Sequence, residues 1–222
     1  EGFEHRFSLA WAAWGLAHVA LIRGDAAQAA PLLERSRTLS VEAGHLVWPH
    51  LHAWGFGQLR ALSGQPAKAV ALLQESLGAF DARGLGVWQS LVLVRLGEAC
   101  LLAGRPAEAR AAGERGLALA RERTERSHEA WALRLLADID ARAEAVDLGA
   151  VEGRYREALT LARELGMRPL VAHCHLGLAA LHRRSGTREQ ADEHLALARA
   201  LCDEMGMPGA PWGADAPGPG GA

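Results

Sequence analysis

The stretch WPHLHAWGFGQLRALSGQPAKAVALLQESLGAFDAR, residues 48–83, reads as helix, turn, helix. Trp48 to Leu62 is an apolar helical run, Ser63-Gly64-Gln65 a turn, and Pro66 to Arg83 a second helical run. Pro66 falls in the first turn of its helix, where a missing N–H costs nothing, and Gly84 stands where that helix should end. The same punctuation recurs along the chain. Gly24, Gly64 and Gly104 stand 40 residues apart and Gly186 follows 82 later. Half a unit on, Gly44, Gly84, Thr124, Gly166 and Gly206 are spaced by 40, 40, 42 and 40 residues. A period of this size predicts a stack of helical hairpins rather than one globular core. Five units are expected, at about 7–44, 47–84, 87–124, 127–166 and 169–206, within a repeat domain spanning 1–207.

Aligned on the turn glycine, the units carry small residues at three offsets: Ala17, Gly57, Gly97 and Ala179; Ala29, Ala69, Ala109 and Ala191; Ser36, Ser76, Gly116 and Ala198. Two helices cross closely only where side chains are short, so these positions predict where each hairpin packs on itself and on its neighbour. Leu16, Phe56, Leu96 and Leu178 precede the first series and are expected to be apolar knobs beside that contact. The fourth unit departs from the pattern. Its turn becomes Arg142 to Gly149, with the helix expected to resume by Tyr155, and a longer loop is tolerated there because closure entropy rises slowly with length. From Pro208 to Ala222 there is almost nothing to bury, and a disordered Pro/Gly-rich tail is expected.

Bulk properties narrow the function. Lys and Arg total 24 against 26 Asp and Glu, so no basic excess draws the chain to phosphates, and direct nucleic-acid binding is not expected. No apolar run reaches the roughly 18 residues that span a bilayer, so no membrane partner is expected. Three cysteines at unpaired spacings, Cys100, Cys174 and Cys202, read as buried thiols in a reducing cytoplasm. Glu1-Gly2-Phe3 has neither an initiator Met nor a secretory signal and reads as the start of a piece of a longer chain.

The small-residue constellation resembles the tetratricopeptide repeat, whose signature is an aromatic, then Leu-Gly/Ala, then Ala twelve residues on. Here the usual Trp is replaced by Ala13, Ala53, Leu93 and His175 and the Tyr by Ala20, Arg60, Cys100 and His182, and the period is 40 rather than 34, implying longer helices. The resemblance implies an all-α, right-handed superhelical solenoid. It also implies that positions two, five and nine of each first helix face a concave groove. Counting back from the small residues gives Trp11, Trp14 and His18, then Leu51, Trp54 and Gln58, then Leu91, Val94 and Glu98. The fourth and fifth units add Trp131, Arg134 and Asp138, then His173, Leu176, Arg183 and Arg184. The wall would be aromatic at one end and charged at the other, and exposed tryptophans of about 150–250 Å² each call for a partner to cover them. The competing expectation is that these rings pack against the next hairpin, as aromatic stripes at helical spacing usually do.

Ser127 to Leu136 and, above all, Glu164-Leu165-Gly166-Met167-Arg168-Pro169-Leu170 through Leu178 are similar to the C-terminal repeat region of large bacterial signalling proteins. In these, a class III adenylate/guanylate cyclase-like domain and an AAA-type ATPase domain precede the repeats. The resemblance implies a regulatory, protein-contacting module whose partner is the upstream domains of its own parent or another signalling protein. No cyclase metal pair and no Gly-x-x-x-x-Gly-Lys loop occurs, so neither catalysis nor a cofactor is expected of this piece.

The histidines carry no metal motif. On one helix His173 and His175 diverge by about 200°, and His175 and His182 lie two turns apart. His128-Glu129 lacks the second imidazole of a zincin motif, and Cys174 cannot face its sequence neighbours on a helix. The alternative reading is a small-molecule sensor, sugar-like or nucleotide, because similar long repeats form the effector-binding end of LuxR-type activators related to the maltose regulator. A third is self-association of the fragment through its Phe3, Phe7 and Trp11 end.

Overall fold

The computed structural model describes residues 2–44, 48–82, 86 and 88–207. Gly84 and the predicted tail at 208–222 lie outside the described residues. Those described form ten helices and no strand: α1 Gly2–Ile22, α2 Ala26–Glu42, α3 Trp48–Leu62, α4 Pro66–Ala82, α5 Gln89–Leu102, α6 Pro106–Glu122, α7 Arg126–Asp140, α8 Leu148–Glu164, α9 Arg168–Ser185 and α10 Arg188–Met205.

Left-handed backbone ends the helices where the sequence is periodic. Gly24, Gly64, Gly104 and Gly186 turn within hairpins at φ of 77°, 70°, 70° and 82°, a region closed to most side chains by their Cβ. Thr124 takes the same conformation at φ 58°, which explains how the half-unit series continues without glycine there. The fourth-unit loop is shorter than the sequence reading has it. Helix α8 starts at Leu148, not near Tyr155, because Asp147 caps it by accepting a hydrogen bond from the Ala150 N–H at 3.0 Å.

Helices pair as hairpins, α1 with α2 through α9 with α10. Each first helix also touches the next first helix, and each second helix packs on the first helix of the following hairpin. This is a helical repeat solenoid with odd-numbered helices on the inside. All twelve small residues are buried, and their role is visible atom by atom. The Ser36 hydroxyl donates to the Ala10 carbonyl at 3.0 Å and the Ser76 hydroxyl to the His50 carbonyl at 2.8 Å. In the third unit the equivalent carbonyl, that of Ser90, comes so near Gly116 that a Cβ there would lie 3.2 Å from it. Among the expected knobs, Leu178 is buried and Phe56 and Leu96 are half-buried, but Leu16 is 59% exposed.

Gly97 is the tightest backbone approach of the inner layer. A Cβ on it would stand 2.6 Å from a Leu135 methyl and 3.0 Å from the Ala109 carbonyl oxygen. The carbonyl belongs to α6 and cannot rotate away, so Gly97→Val is expected to destabilise by about 2–3 kcal/mol. The urea midpoint measures this, and a value equal to wild type would mean that the helices do not cross here.

The solenoid winds tightly enough for its first and last hairpins to meet. The Arg23 guanidinium, at the end of α1, donates to the Met205 and Gly206 carbonyls at 2.5 and 2.9 Å, capping the C-terminus of α10. Between the two hairpins Val19, Ile22, Met167, Pro169, Leu170 and Met205 line an apolar cavity of about 320 Å³.

Candidate functional site

That closure decides the fate of the predicted groove. Trp14, Leu51, Trp54, Gln58, Val94, Glu98, Trp131, Arg134 and His173 are all buried, as is Leu91. Trp11, His18, Asp138 and Leu176 are half-buried, and only Arg183 and Arg184 are exposed. The expectation of an open aromatic wall is therefore corrected: small residues let the inner helices approach so closely that their indoles meet each other across the axis. Trp14 stacks on His18 at 5.1 Å between ring centres, Trp54 meets both at 5.1 Å, and Trp11 lies 6.1 Å from Trp14. One ring of this cluster was not foreseen. Trp88, just before α5, adopts a left-handed φ of 66°, rare for a bulky residue, and reaches Trp11, Trp14 and Trp54 at 6.1–6.2 Å.

Next along the axis comes a buried charge network. Glu98 accepts from Arg95 Nη1 at 3.0 and 2.9 Å and from Arg134 Nη2. Arg134 also donates to Asp138 Oδ2 at 2.5 Å, and the Tyr155 hydroxyl donates to Asp138 Oδ1 at 2.6 Å. Both guanidiniums lie against Trp131, Arg95 at 4.1 Å and Arg134 at 5.3 Å from the ring centre. Burial opposes the charge of Arg134, yet Asp138 and Glu98 more than offset it and hold its pKa above the usual value.

At the charged end the axis opens. A cavity of about 320 Å³ is bounded by α7, α8 and α9 and is lined by Arg134, Asp138, Arg142, Tyr155, His173, Leu176, Arg183 and Arg184 among others. Six predicted groove residues, Arg134, Asp138, His173, Leu176, Arg183 and Arg184, are thus brought together, whereas the predicted residues of the first three hairpins are not part of it. Arg142 and Tyr155 were missed, the first because the irregular loop gives no helical register, the second because it enters from an outer helix.

The histidines are grouped differently from the single-helix reading. His194 on α10 joins them: His175 Nδ1 and His194 Nδ1 are 2.9 Å apart, and His194 stacks on His182 at 5.4 Å. Arg163 Nη2 lies 3.2 Å from His175 Nε2. A guanidinium only donates, so that nitrogen accepts and His175 Nδ1 donates to His194. No group of three or more such side chains is placed to hold a metal ion among the described residues. Ser90, His128 and Glu125 also meet, with Ser90 Oγ and Glu125 Oε2 at 2.8 and 3.1 Å from the same His128 Nδ1. A relay needs the hydroxyl and the carboxylate on opposite ring nitrogens, and Ser90 is fully buried, so the trio fastens the third hairpin to the fourth. Burial pushes the Cys174 thiol up to about 12, leaving it unreactive.

Burial also lowers the pKa of His173 to about 3, helped by Arg134 and Arg95, and that of His175 to about 4, helped by His194 and Arg163. Both are neutral when folded, so the unfolded chain binds more protons below its own pKa of about 6.5. Their contribution is complete above that pH and is lost as pH falls toward 3–4, at up to about 1.4 kcal/mol per histidine per pH unit. Urea unfolding at pH 7 and pH 5 is expected to show this loss, with a shallower slope in His173→Gln; identical slopes would place His173 in contact with water.

No protein-family model matches the chain, and no curated protein sequence does. Among solved structures, the chain is similar to a kinesin light chain-like protein of Podosopora anserina with nearly identical TPR-like repeats. The identity is 20%, the match covers 91% of this chain and 98% of that one, and the TM-score is 0.52. A variant of the same protein matches at 19% identity, over 91% and 98% of the two chains, again with a TM-score of 0.52. At such identity the likeness is one of fold: stacked TPR-like helical hairpins.

Proposed function

We propose that this chain is a non-catalytic protein-interaction and regulatory module of a larger bacterial signalling protein, acting in the cytoplasm through its charged-end cavity. The parent assignment rests on the resemblance of residues 127–136 and 164–178 to the repeat ends of cyclase-like, ATPase-containing proteins. The site assignment rests on one observation: Arg142, Arg183 and Arg184 ring a preformed cavity, and no ion pair to any of the three exists among the described residues. Partners are the upstream domains of the same parent or another signalling protein, met with little backbone rearrangement because the scaffold is already packed.

The test is capture of the parent's cyclase-like and ATPase domains on this chain, compared with Arg142→Glu/Arg183→Glu. Retention by wild type and loss in the variant supports the reading. Equal retention by both moves the site elsewhere, and no retention by either rejects the module. A sensor of small molecules is the second reading, favoured by the cavity's size, which sits at the lower end of the roughly 300–1,000 Å³ typical of small-ligand sites. A rise in melting temperature with an oligosaccharide or a nucleotide supports it.

A further inference from the structure

The charges around this cavity define what it holds. Asp138 is the carboxylate in its lining, and both of its oxygens are occupied, one by Arg134 and the other by the Tyr155 hydroxyl. Arg134 in turn is balanced by Glu98 and Asp138, and His173 is neutral, so the floor carries no net charge. The rim is different. Arg142, Arg183 and Arg184 add three positive charges with no carboxylate to meet them among the described residues, although on the neighbouring outer faces Arg126 and Arg154 each hold one and Arg110 and Arg121 each hold two.

One of the rim groups is also held in position. Arg184 is fixed in place, because its guanidinium donates to the Ala141 and Ala143 carbonyls at 2.5 and 3.2 Å and so fastens the α7–α8 connection across α9. Guanidiniums gathered around one cavity without carboxylate partners favour carboxylate and phosphate oxygens, which accept two parallel hydrogen bonds from one such group. A macromolecular polyanion does not fit as well, since the outer helices alternate in sign and the chain carries a net charge of −2.

We infer that the charged-end cavity binds a small free anion with at least two negative charges, a di- or tricarboxylate or a phosphate. This rests on the reading above that the cavity is the functional site, and it makes the module one whose last two hairpins are tightened by that anion. The probes are citrate, succinate and inorganic phosphate, each titrated against the intact chain at ionic strength held constant with sodium chloride, with glycerol as the neutral control.

At least one anion is expected to raise the melting temperature progressively with log concentration, as ligand linkage requires. Citrate or succinate alone would identify a carboxylate ligand and phosphate alone a phosphorylated one. In Arg142→Gln/Arg183→Gln the ligand-free melting temperature should stay at the wild-type value, because both side chains are exposed, while affinity falls at least about tenfold per arginine. No shift with any of the three, or the same shift in the double variant, overturns the inference. Domain capture is read separately: captured domains with no anion effect leave the interaction module standing and remove only its ligand.

Discussion

Trp54→Ala is expected to lower the unfolding free energy by about 3–5 kcal/mol, the range for deleting a large aromatic side chain from a packed core. The indole is 1% exposed and touches Trp14, His18 and Trp88, rings contributed by one other inner helix, α1, and by the connection before α5. Removing it leaves a void bounded by rigid rings that cannot collapse inward as aliphatic chains do. Trp54→Phe separates packing from polarity. The Trp54 indole N–H has no acceptor among the described residues, so phenylalanine sacrifices no hydrogen bond and should recover more than half of the loss. Chemical denaturation of both variants decides the matter: an alanine effect below about 1 kcal/mol would mean a ring facing solvent, and with it an open groove.

The periodic part of this architecture is legible because it is local. A left-handed turn needs glycine or a tolerant substitute, and a helix crossing needs a short side chain, so Gly64, Gly104, Ala69 and Ala109 announce their roles residue by residue. Whether the inner face is hollow is a collective property. It depends on the angle between successive hairpins summed over five units, and a small excess in each carries Arg23 onto the end of α10 and fills the axis with Trp14, Trp54 and Trp131. Helical periodicity finds the inward face correctly but is silent on how near the opposite wall stands. Trp88 was hidden for a related reason, since the 40-residue register places it at a helix start and only its left-handed backbone turns it over the cluster. At the other end, Arg183 and Arg184 follow from the register, while Arg142 sits in the one connection that breaks it.

Glu98→Gln tests the second half of the axis and should be nearly as damaging as Trp54→Ala, at about 3–5 kcal/mol. Arg95, Arg134 and Glu98 are 6%, 3% and 6% exposed, and the two guanidiniums share the one carboxylate. Glutamine preserves the volume but removes the charge, leaving two buried cations with Asp138 alone, and a buried ion stripped of its counter-charge is costly because water cannot reach it. The identity of the lost energy can be checked by removing one cation as well. Arg95→Met keeps an unbranched chain over the Trp131 face, so Glu98→Gln/Arg95→Met should be more stable than Glu98→Gln alone, with a coupling of about 1–3 kcal/mol in the double-mutant cycle. Additive effects would show that Arg95 draws its stability from the Trp131 ring and not from Glu98. The cycle also bears on the cavity beyond, because Arg134 is held by Glu98 on one side and Asp138 on the other. Losing the first partner frees the guanidinium to shift toward Asp138, so Glu98→Gln is expected to alter anion affinity at Arg142 and Arg183 even though Glu98 does not line the site.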